Sequence, residues 1–175
     1  MFPSLKFNMS DITASLGINQ LGRLERNLHW RKRLWDEYVR AFGDLPFDLP
    51  HLPNAPHRHA RHLFVVRLRL SDLRIGRRDV VRALKAENVG TGIHYPAIHR
   101  HDVFRRMLGV GKGSFPAAEW LSDRVLSLPF GPSMSPKDAA DVIAAVRKVV
   151  QFYRVHRTQV GFGLINRARG APSAE

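Results

Sequence analysis

The chain has 175 residues, 44% of them hydrophobic, which is enough for one domain with a substantial core and too few for two. It has no cysteine, which excludes disulfides and thiolate chemistry, and no apolar run approaches the ~20 residues that a membrane-spanning helix needs. The formal charge of +13 suggests nucleic-acid binding, but the basic residues are scattered and no recognition motif accompanies them. We therefore expect a soluble, cytoplasmic protein without membrane association, and nucleic-acid binding stays an alternative.

The N-terminal part is predicted to form a long helix from Ser10 to about Phe42, bent near Gly22. Apolar residues recur there at three- to five-residue intervals, which predicts one buried face. Ser10 is a suitable N-cap because its side-chain oxygen can accept from a free amide group of the first turn. The apolar positions are Ile12, Leu16, Leu21, Leu24, Leu28, Trp35, Val39 and Phe42.

The middle of the chain contains irregular, extended and helical patterns in turn. Four prolines in "GDLPFDLPHLPNAP" predict an irregular connector over residues 43–56. The run "HLFVVRLRL", residues 62–70, is rich in β-branched and aromatic residues and predicts a strand. A helix over residues 77–87 follows, with Asn88 as a left-handed closing residue. Residues 89–95 are predicted to form a second strand.

The last part of the chain contains a third strand between two helical patterns. A helical stretch over about residues 116–124 precedes "VLSLPF", residues 125–130, which predicts a short strand. Ser135 and Pro136 are the N-cap and first-turn residues of a final helix. Its apolar stripe consists of Ala139, Val142, Ile143, Val146, Val149, Val150 and Tyr153.

This order of elements predicts an α+β fold, in which helices cover a small antiparallel or mixed sheet of about three strands. We divide the chain into the long N-terminal helix (1–43), a small α/β domain (44–158) and a tail (159–175). The tail has no hydrophobic period, which predicts disorder.

Four blocks of the sequence carry a resemblance to a known family. They are "LKFNMSDITASLGINQLGRLERNLHWRKRLWDEYVRAF", "HARHLFVVRL", "ALKAENVGTGIHYP" and "RVLSLPFGPSMSPKDAADVIAAV", in that order. Together they resemble the C-terminal part of the DegT/DnrJ/EryC1/StrS family of sugar aminotransferases, over roughly residues 5–155. Four separate blocks at compatible spacing are more specific than any one of them.

The resemblance implies a pyridoxal-phosphate (PLP) enzyme of the aspartate-aminotransferase fold, of which this chain would be the small C-terminal domain. Such enzymes move an amino group from glutamate to a keto sugar on a nucleotide carrier. The lysine that forms the Schiff base lies in the family's large N-terminal domain, which would precede Met1. We therefore assign no catalytic residue here, and we expect the chain to be inactive alone and not to hold PLP covalently.

The resemblance also implies the partners of the parent enzyme. They are the missing N-terminal large domain, a second copy of the enzyme in a homodimer, and the nucleotide-sugar substrate. Within the family, the blocks look most like the enzymes that make 4-amino-4-deoxy-L-arabinose for lipid A modification.

Two pairs of residues are implied as binding residues. The family's first block reaches the cofactor phosphate of the neighbouring subunit, which implies cofactor-binding roles for Lys6 and Asn8. Lysine suits a phosphate as a point charge, and asparagine offers two neutral donors. The alternative to these cofactor-binding roles is that Lys6 is a solvated residue before a helix and that Asn8 forms a turn.

In "VGTGIHYPAIH", residues 89–99, two glycines allow the backbone to pack closely beside two hydrogen-bonding rings. The resemblance implies that His94 and Tyr95 contact the sugar nucleotide. By residue type alone, His94 is better interpreted as a half-buried strand histidine that hydrogen-bonds to a carbonyl group.

Two further patterns are interpreted as non-functional. No acidic residue or cysteine follows closely after the histidines His51, His57, His59 and His62, so we expect no metal site. The stretch "GVGKG", residues 109–113, lacks the strand and the Gly-Lys-Ser/Thr ending of a phosphate loop, so it is interpreted as a flexible surface loop.

Three hypotheses about function stay open at this point. The chain is part of an enzyme that works only with a large catalytic domain, or it is an inactive truncated remnant, or it is a basic module that binds nucleic acid. A remnant would expose the apolar faces that the missing parts normally cover. A nucleic-acid module would show steeply salt-dependent binding.

Overall fold

The structure, a computed structural model, describes residues 8–52 and 58–155. The predicted α+β class is confirmed, because helices flank a three-stranded antiparallel sheet. Lys6, His57 and the tail at residues 159–175 lie outside the described residues. The helices are α1 (Asp11–Gly22), α2 (Leu24–Phe42), α3 (Arg77–Ala86), α4 (Asp102–Leu108), α5 (Pro116–Ser122) and α6 (Pro136–Tyr153), and the strands are β1 (Phe47–Asp48), β2 (Phe64–Leu68) and β3 (Val125–Leu128).

The sheet has the order β1-β2-β3, with β2 in the centre. The predicted strand at 62–70 is confirmed in its central part, and its alternating pattern buries Phe64, Val66 and Leu68. The third strand is also confirmed, and it pairs with β2 so that Phe64 lies opposite Leu128. The short strand β1 was missed because two residues between prolines show no period.

The predicted strand at residues 89–95 is wrong. Within this segment the structure has a single bridge, in which Gly92 pairs with Ser127. Its glycines have no side chain to pack, and Pro96 has no backbone donor, so a longer ladder is not favoured. The chain instead turns into a short 3-10 helix at Ile98–Arg100, followed by α4, which the sequence did not predict.

An aromatic cluster forms the centre of the core between α2 and the sheet. The ring centroid of Phe64 lies 5.0 Å from that of Trp35, 5.1 Å from that of Tyr38 and 6.1 Å from that of Phe130. The buried hydroxyl of Tyr38 donates to the Pro129 carbonyl at 2.9 Å, which satisfies the only polar atom of this side chain. Burial raises the pKa of Tyr38.

Helix α6 begins at the predicted cap, and its predicted apolar stripe packs into the core. Ser135 accepts a hydrogen bond from the Asp138 backbone, and the Asp138 side chain accepts one from the Ser135 backbone, which makes a capping box. The predicted left-handed residue after α3 is also confirmed, because Asn88 has a φ of 61°. None of the described helices is long and apolar enough to cross a membrane.

The predicted buried face of the N-terminal helix is correct only for part of α2, where Leu24 and Val39 are still 44% and 36% exposed. The helix ends at Gly22 and restarts at Leu24, and α1 contains no buried residue. Ile12, Leu16 and Leu21 are each more than 60% exposed. Their burial was predicted from spacing alone, and no described element lies against this side of α1. Trp35 and Phe42 of α2 are buried as predicted.

We expect Phe64→Ala to lower the free energy of unfolding by about 3–5 kcal/mol, because it leaves a cavity in the aromatic cluster. The control Leu16→Ala removes a large apolar side chain that is 63% exposed, and it should change stability by no more than about 0.5 kcal/mol. Chemical denaturation of both variants measures the difference. Equal losses would contradict the placement of Leu16 outside the core.

Candidate functional site

The segment at residues 92–100 is attached to β3 by backbone and side-chain bonds. Gly92 donates to the Ser127 carbonyl at 3.0 Å and accepts from the Ser127 amide at 2.8 Å. The Ser127 hydroxyl lies 2.7 Å from Nδ1 of His94. His94 is therefore half-buried with a polar partner, as its residue type indicated, but the partner is a hydroxyl and not a carbonyl.

Gly92 is the glycine whose missing side chain matters here. A Cβ at Gly92 would lie 2.6 Å from Cε1 of His94, which is closer than real contacts allow. A Cβ at Gly90 would meet no atom within 4 Å. The expected close packing of backbone against ring is therefore found at Gly92 and not at Gly90.

Further along, the segment is attached to α5. The Ala97 amide donates to Oγ of Ser122 at 2.9 Å. Nε2 of His99 lies 3.0 Å from Oε1 of Glu119, and both side chains are buried. The same carboxylate oxygen accepts from the Gly113 amide at 2.6 Å, so Glu119 holds the stretch at 109–113 as well as the segment.

An ion-pair network surrounds this attachment. Arg100 donates to Oδ2 of Asp123 at 2.9 Å and to Oε2 of Glu119 at 3.4 Å. The hydrogen bond from His99, with help from the Gly113 amide and Arg100, lowers the pKa of Glu119. The hydrogen bond from Arg100 lowers the pKa of Asp123. Glu119 is therefore a charged anchor in a mostly buried position.

The sequence did not identify Ser127, His99, Glu119 or Asp123 as site residues. His99 and Glu119 are 20 positions apart, and only the fold brings them into contact. The dense run "IHYPAIHRHD", with three histidines, was the signal that could have drawn attention to this region.

An apolar pocket of about 450 Å³ opens beside His94 and Tyr95. The volume lies within the range typical of small-molecule sites. Tyr95 is 73% exposed, and its ring meets the His94 ring edge to face at 4.9 Å. The pocket therefore combines an apolar wall with two polar rings on one side. That wall includes Ile98, Leu108, Phe115, Ala118, Leu121 and Val125.

The predicted cofactor-binding pair is only partly described. Asn8 is exposed just before α1, with no described contact to the pocket, and Lys6 lies outside the described residues. No lysine or carboxylate lines the pocket itself, where PLP would need an amine and an acidic partner for its ring nitrogen. This pocket therefore does not form a PLP site by itself.

The histidine-rich stretch forms no metal site in the part of the chain that the structure describes. Nδ1 of His59 accepts from the Arg61 amide at 3.0 Å, and the His59 ring lies against Trp35. These contacts are those of a structural side chain.

Comparison with known proteins identifies the family. The sequence model of the DegT/DnrJ/EryC1/StrS aminotransferase family matches residues 2–147. The chain belongs to this family. The expected resemblance is therefore confirmed over most of the chain.

Three known proteins illustrate what the chain is similar to. An uncharacterized protein of Methanocaldococcus jannaschii is 37% identical over 145 residues, which are 83% of this chain and 38% of that protein. DesV of S. venezuelae, solved in complex with a ketimine intermediate, is 31% identical with a TM-score of 0.70, over 82% of this chain and 37% of DesV. Spr1654 of Streptococcus pneumoniae, solved in PLP and PMP forms, shares the fold with a TM-score of 0.75 at 24% identity, over 83% of this chain and 36% of Spr1654.

The chain thus spans less than two fifths of the length of these relatives.

We expect Gly92→Ala to destabilise the chain by about 1–3 kcal/mol, because the new Cβ must push the His94 ring away from Ser127. Gly90→Ala is the matched control and should change stability by no more than about 0.5 kcal/mol. Chemical denaturation measures both variants, and NMR of the His94 ring reports its displacement. A Gly92→Ala variant as stable as the control, with the ring unmoved, would be the contrary result.

We expect Glu119→Gln to lower the melting temperature at pH 7, because the carboxylate accepts hydrogen bonds from three groups. The lowered pKa of Glu119 means that its charged form stabilises the fold above its ordinary value of 4.5. The difference between the two proteins should therefore shrink as the pH falls below 4.5. Thermal unfolding at several pH values checks this, with Glu37→Gln on α2 as the control; a pH-independent difference would contradict it.

Proposed function

We propose that this chain is the C-terminal domain of a PLP-dependent sugar aminotransferase, in which an amino group passes from glutamate to a nucleotide-linked keto sugar. The observation that carries the proposal is the match to the DegT/DnrJ/EryC1/StrS family over residues 2–147, in a chain that covers less than two fifths of the length of its relatives. A large N-terminal domain would supply the Schiff-base lysine. PLP would provide the electron sink of the reaction once that domain is present.

The role of this chain in the proposed enzyme is to bind and orient the substrate. His94 and Tyr95 offer hydrogen-bonding groups at the edge of an apolar pocket of about 450 Å³. An apolar wall beside a few oriented polar groups suits a sugar nucleotide, whose base is flat and whose sugar and phosphates carry oxygen atoms. Lys6 and Asn8 would bind the PLP phosphate of the neighbouring subunit in a homodimer.

The exposed apolar side chains of α1 support the proposal that a large partner domain binds this chain. Ile12, Leu16 and Leu21 are 76%, 63% and 71% exposed on a helix without buried residues. Contiguous exposed apolar side chains typically mark an interaction surface. We propose that the missing N-terminal domain covers α1, together with the second copy in the homodimer.

The charge distribution gives less support to a nucleic-acid module. Several arginines form ion pairs within the fold: Arg67 and Arg69 with Asp48, and Arg147 with Asp44. Their charges are therefore partly neutralised by neighbours and are less available for phosphate groups. The remnant hypothesis predicts the same exposed α1 surface as the enzyme hypothesis, so only reconstitution separates the two.

The test is a chimera that joins the N-terminal part of the Methanocaldococcus jannaschii relative to this chain. We expect the chimera to bind PLP, seen by its visible absorbance, and to consume glutamate in the presence of a keto-sugar nucleotide. The chain alone and the relative's N-terminal part alone are the controls, and neither should be active. His94→Ala in the chimera should keep PLP bound and lower kcat/KM by about tenfold, the effect of losing one substrate hydrogen bond.

A chimera that folds but binds no PLP would favour the remnant hypothesis. If the chimera is active, a panel of nucleotide-linked keto sugars, including the precursor of 4-amino-4-deoxy-L-arabinose, would identify its substrate. Titration of DNA with the chain alone at several salt concentrations tests the hypothesis that the chain is a nucleic-acid-binding module.

A further inference from the structure

The Ser127 hydroxyl is a buried group with one visible partner. Ser127 is 4% exposed and belongs to β3, where all four residues are buried. Within the described part of the chain, the side-chain hydrogen bond recorded for its hydroxyl is to Nδ1 of His94 at 2.7 Å. A buried hydroxyl proton requires an acceptor, because leaving it unpaired away from water is costly.

The direction of the hydrogen bond between Ser127 and His94 follows from the number of protons that the two groups carry. A neutral imidazole carries one N–H group and one acceptor nitrogen. If Nδ1 of His94 carried the proton, the Ser127 hydroxyl would accept, and its own proton would face no acceptor among the described residues. If the hydroxyl donates instead, Nδ1 is the acceptor and Nε2 carries the imidazole proton. The second arrangement satisfies both groups.

We propose that Ser127 is a positioning residue that holds His94 in the Nε2–H tautomer, so that the ring presents a hydrogen-bond donor to the ligand of the pocket. This inference rests on the proposed function, in which the nucleotide sugar binds at His94. A donor at Nε2 selects an oxygen acceptor, such as a phosphate, carbonyl or hydroxyl oxygen of that ligand. No hydrogen bond to Nε2 is recorded among the described residues, so this nitrogen is available.

The surroundings of the ring keep it in this orientation. The Gly92 backbone lies against the Cε1 edge, where even one added carbon would be 2.6 Å away. The Tyr95 ring meets the imidazole at a centroid distance of 4.9 Å. The two backbone bonds between Gly92 and Ser127 hold the hydroxyl and the ring in register. The His94 ring is thus restrained by the hydrogen bond at Nδ1, by the Gly92 backbone beside Cε1 and by the Tyr95 ring. It therefore has little freedom to rotate.

The experiment determines the His94 tautomer in the full 175-residue chain by ¹⁵N NMR. Long-range proton–nitrogen correlations are recorded at about pH 8, where histidines are mostly neutral. We expect wild type to carry the proton on Nε2. In Ser127→Ala the ratio of the Nε2–H to the Nδ1–H tautomer should fall by about tenfold, the loss of one buried hydrogen bond. Ser127→Thr keeps the hydroxyl and should restore the ratio.

Ser133→Ala is the matched control, because it removes an exposed serine hydroxyl outside the site. The inference is overturned if wild type carries the proton on Nδ1, or if Ser127→Ala leaves the ratio equal to that of the control. Solid-state NMR reads the same nitrogen shifts if exposed α1 surfaces cause the chain to associate. The readout needs neither PLP nor substrate, so it succeeds or fails separately from the chimera experiment.

Discussion

The antiparallel pairing of β2 with β3 supports both the core and the candidate site. On one face of the pair, Phe64 lies opposite Leu128 and Val66 lies opposite Leu126, and these four side chains belong to the hydrophobic core. On the other face, Val125 lines the pocket and Ser127 binds the 92–100 segment. Because neighbouring residues of a strand point to opposite faces, a single four-residue strand connects the two regions. A one-residue shift of β3 would exchange them.

The candidate site is thus a segment of irregular backbone fastened to regular elements. β3 holds its beginning through Gly92 and His94, and α5 holds its end through Ala97 and His99. Gly92 pairs through its backbone, and the other attachments use the side chains of Ser127, Ser122 and Glu119, because irregular backbone cannot satisfy its own polar groups. Rigid elements that support a loop at both ends are the usual way in which proteins position binding residues. The apolar pocket is the space left between this segment and α4 and α5.

Local patterns predicted the elements whose stability comes mainly from their own residues and from one buried face. The alternation of β2, the cap and stripe of α6 and the left-handed Asn88 were all found where they were predicted. The predicted strand at 89–95 was wrong, because its glycines and the following proline weaken a ladder that only a neighbouring strand could have stabilised. β1 was missed because two residues are too few to show a period, and α4 was missed because it has no buried residue and hence no apolar face directed to the core.

The sequence by itself determined the family and the α+β class, because these depend on local patterns and on motifs in a given order. The tertiary structure decided which groups meet. Ser127 and His94 are 33 positions apart, and His99 and Glu119 are 20 apart, so no periodicity relates them. It also decided that the apolar side of α1 stays exposed. Apolar spacing indicates that a face can be buried, whereas only the packing of the whole chain shows whether anything lies against it.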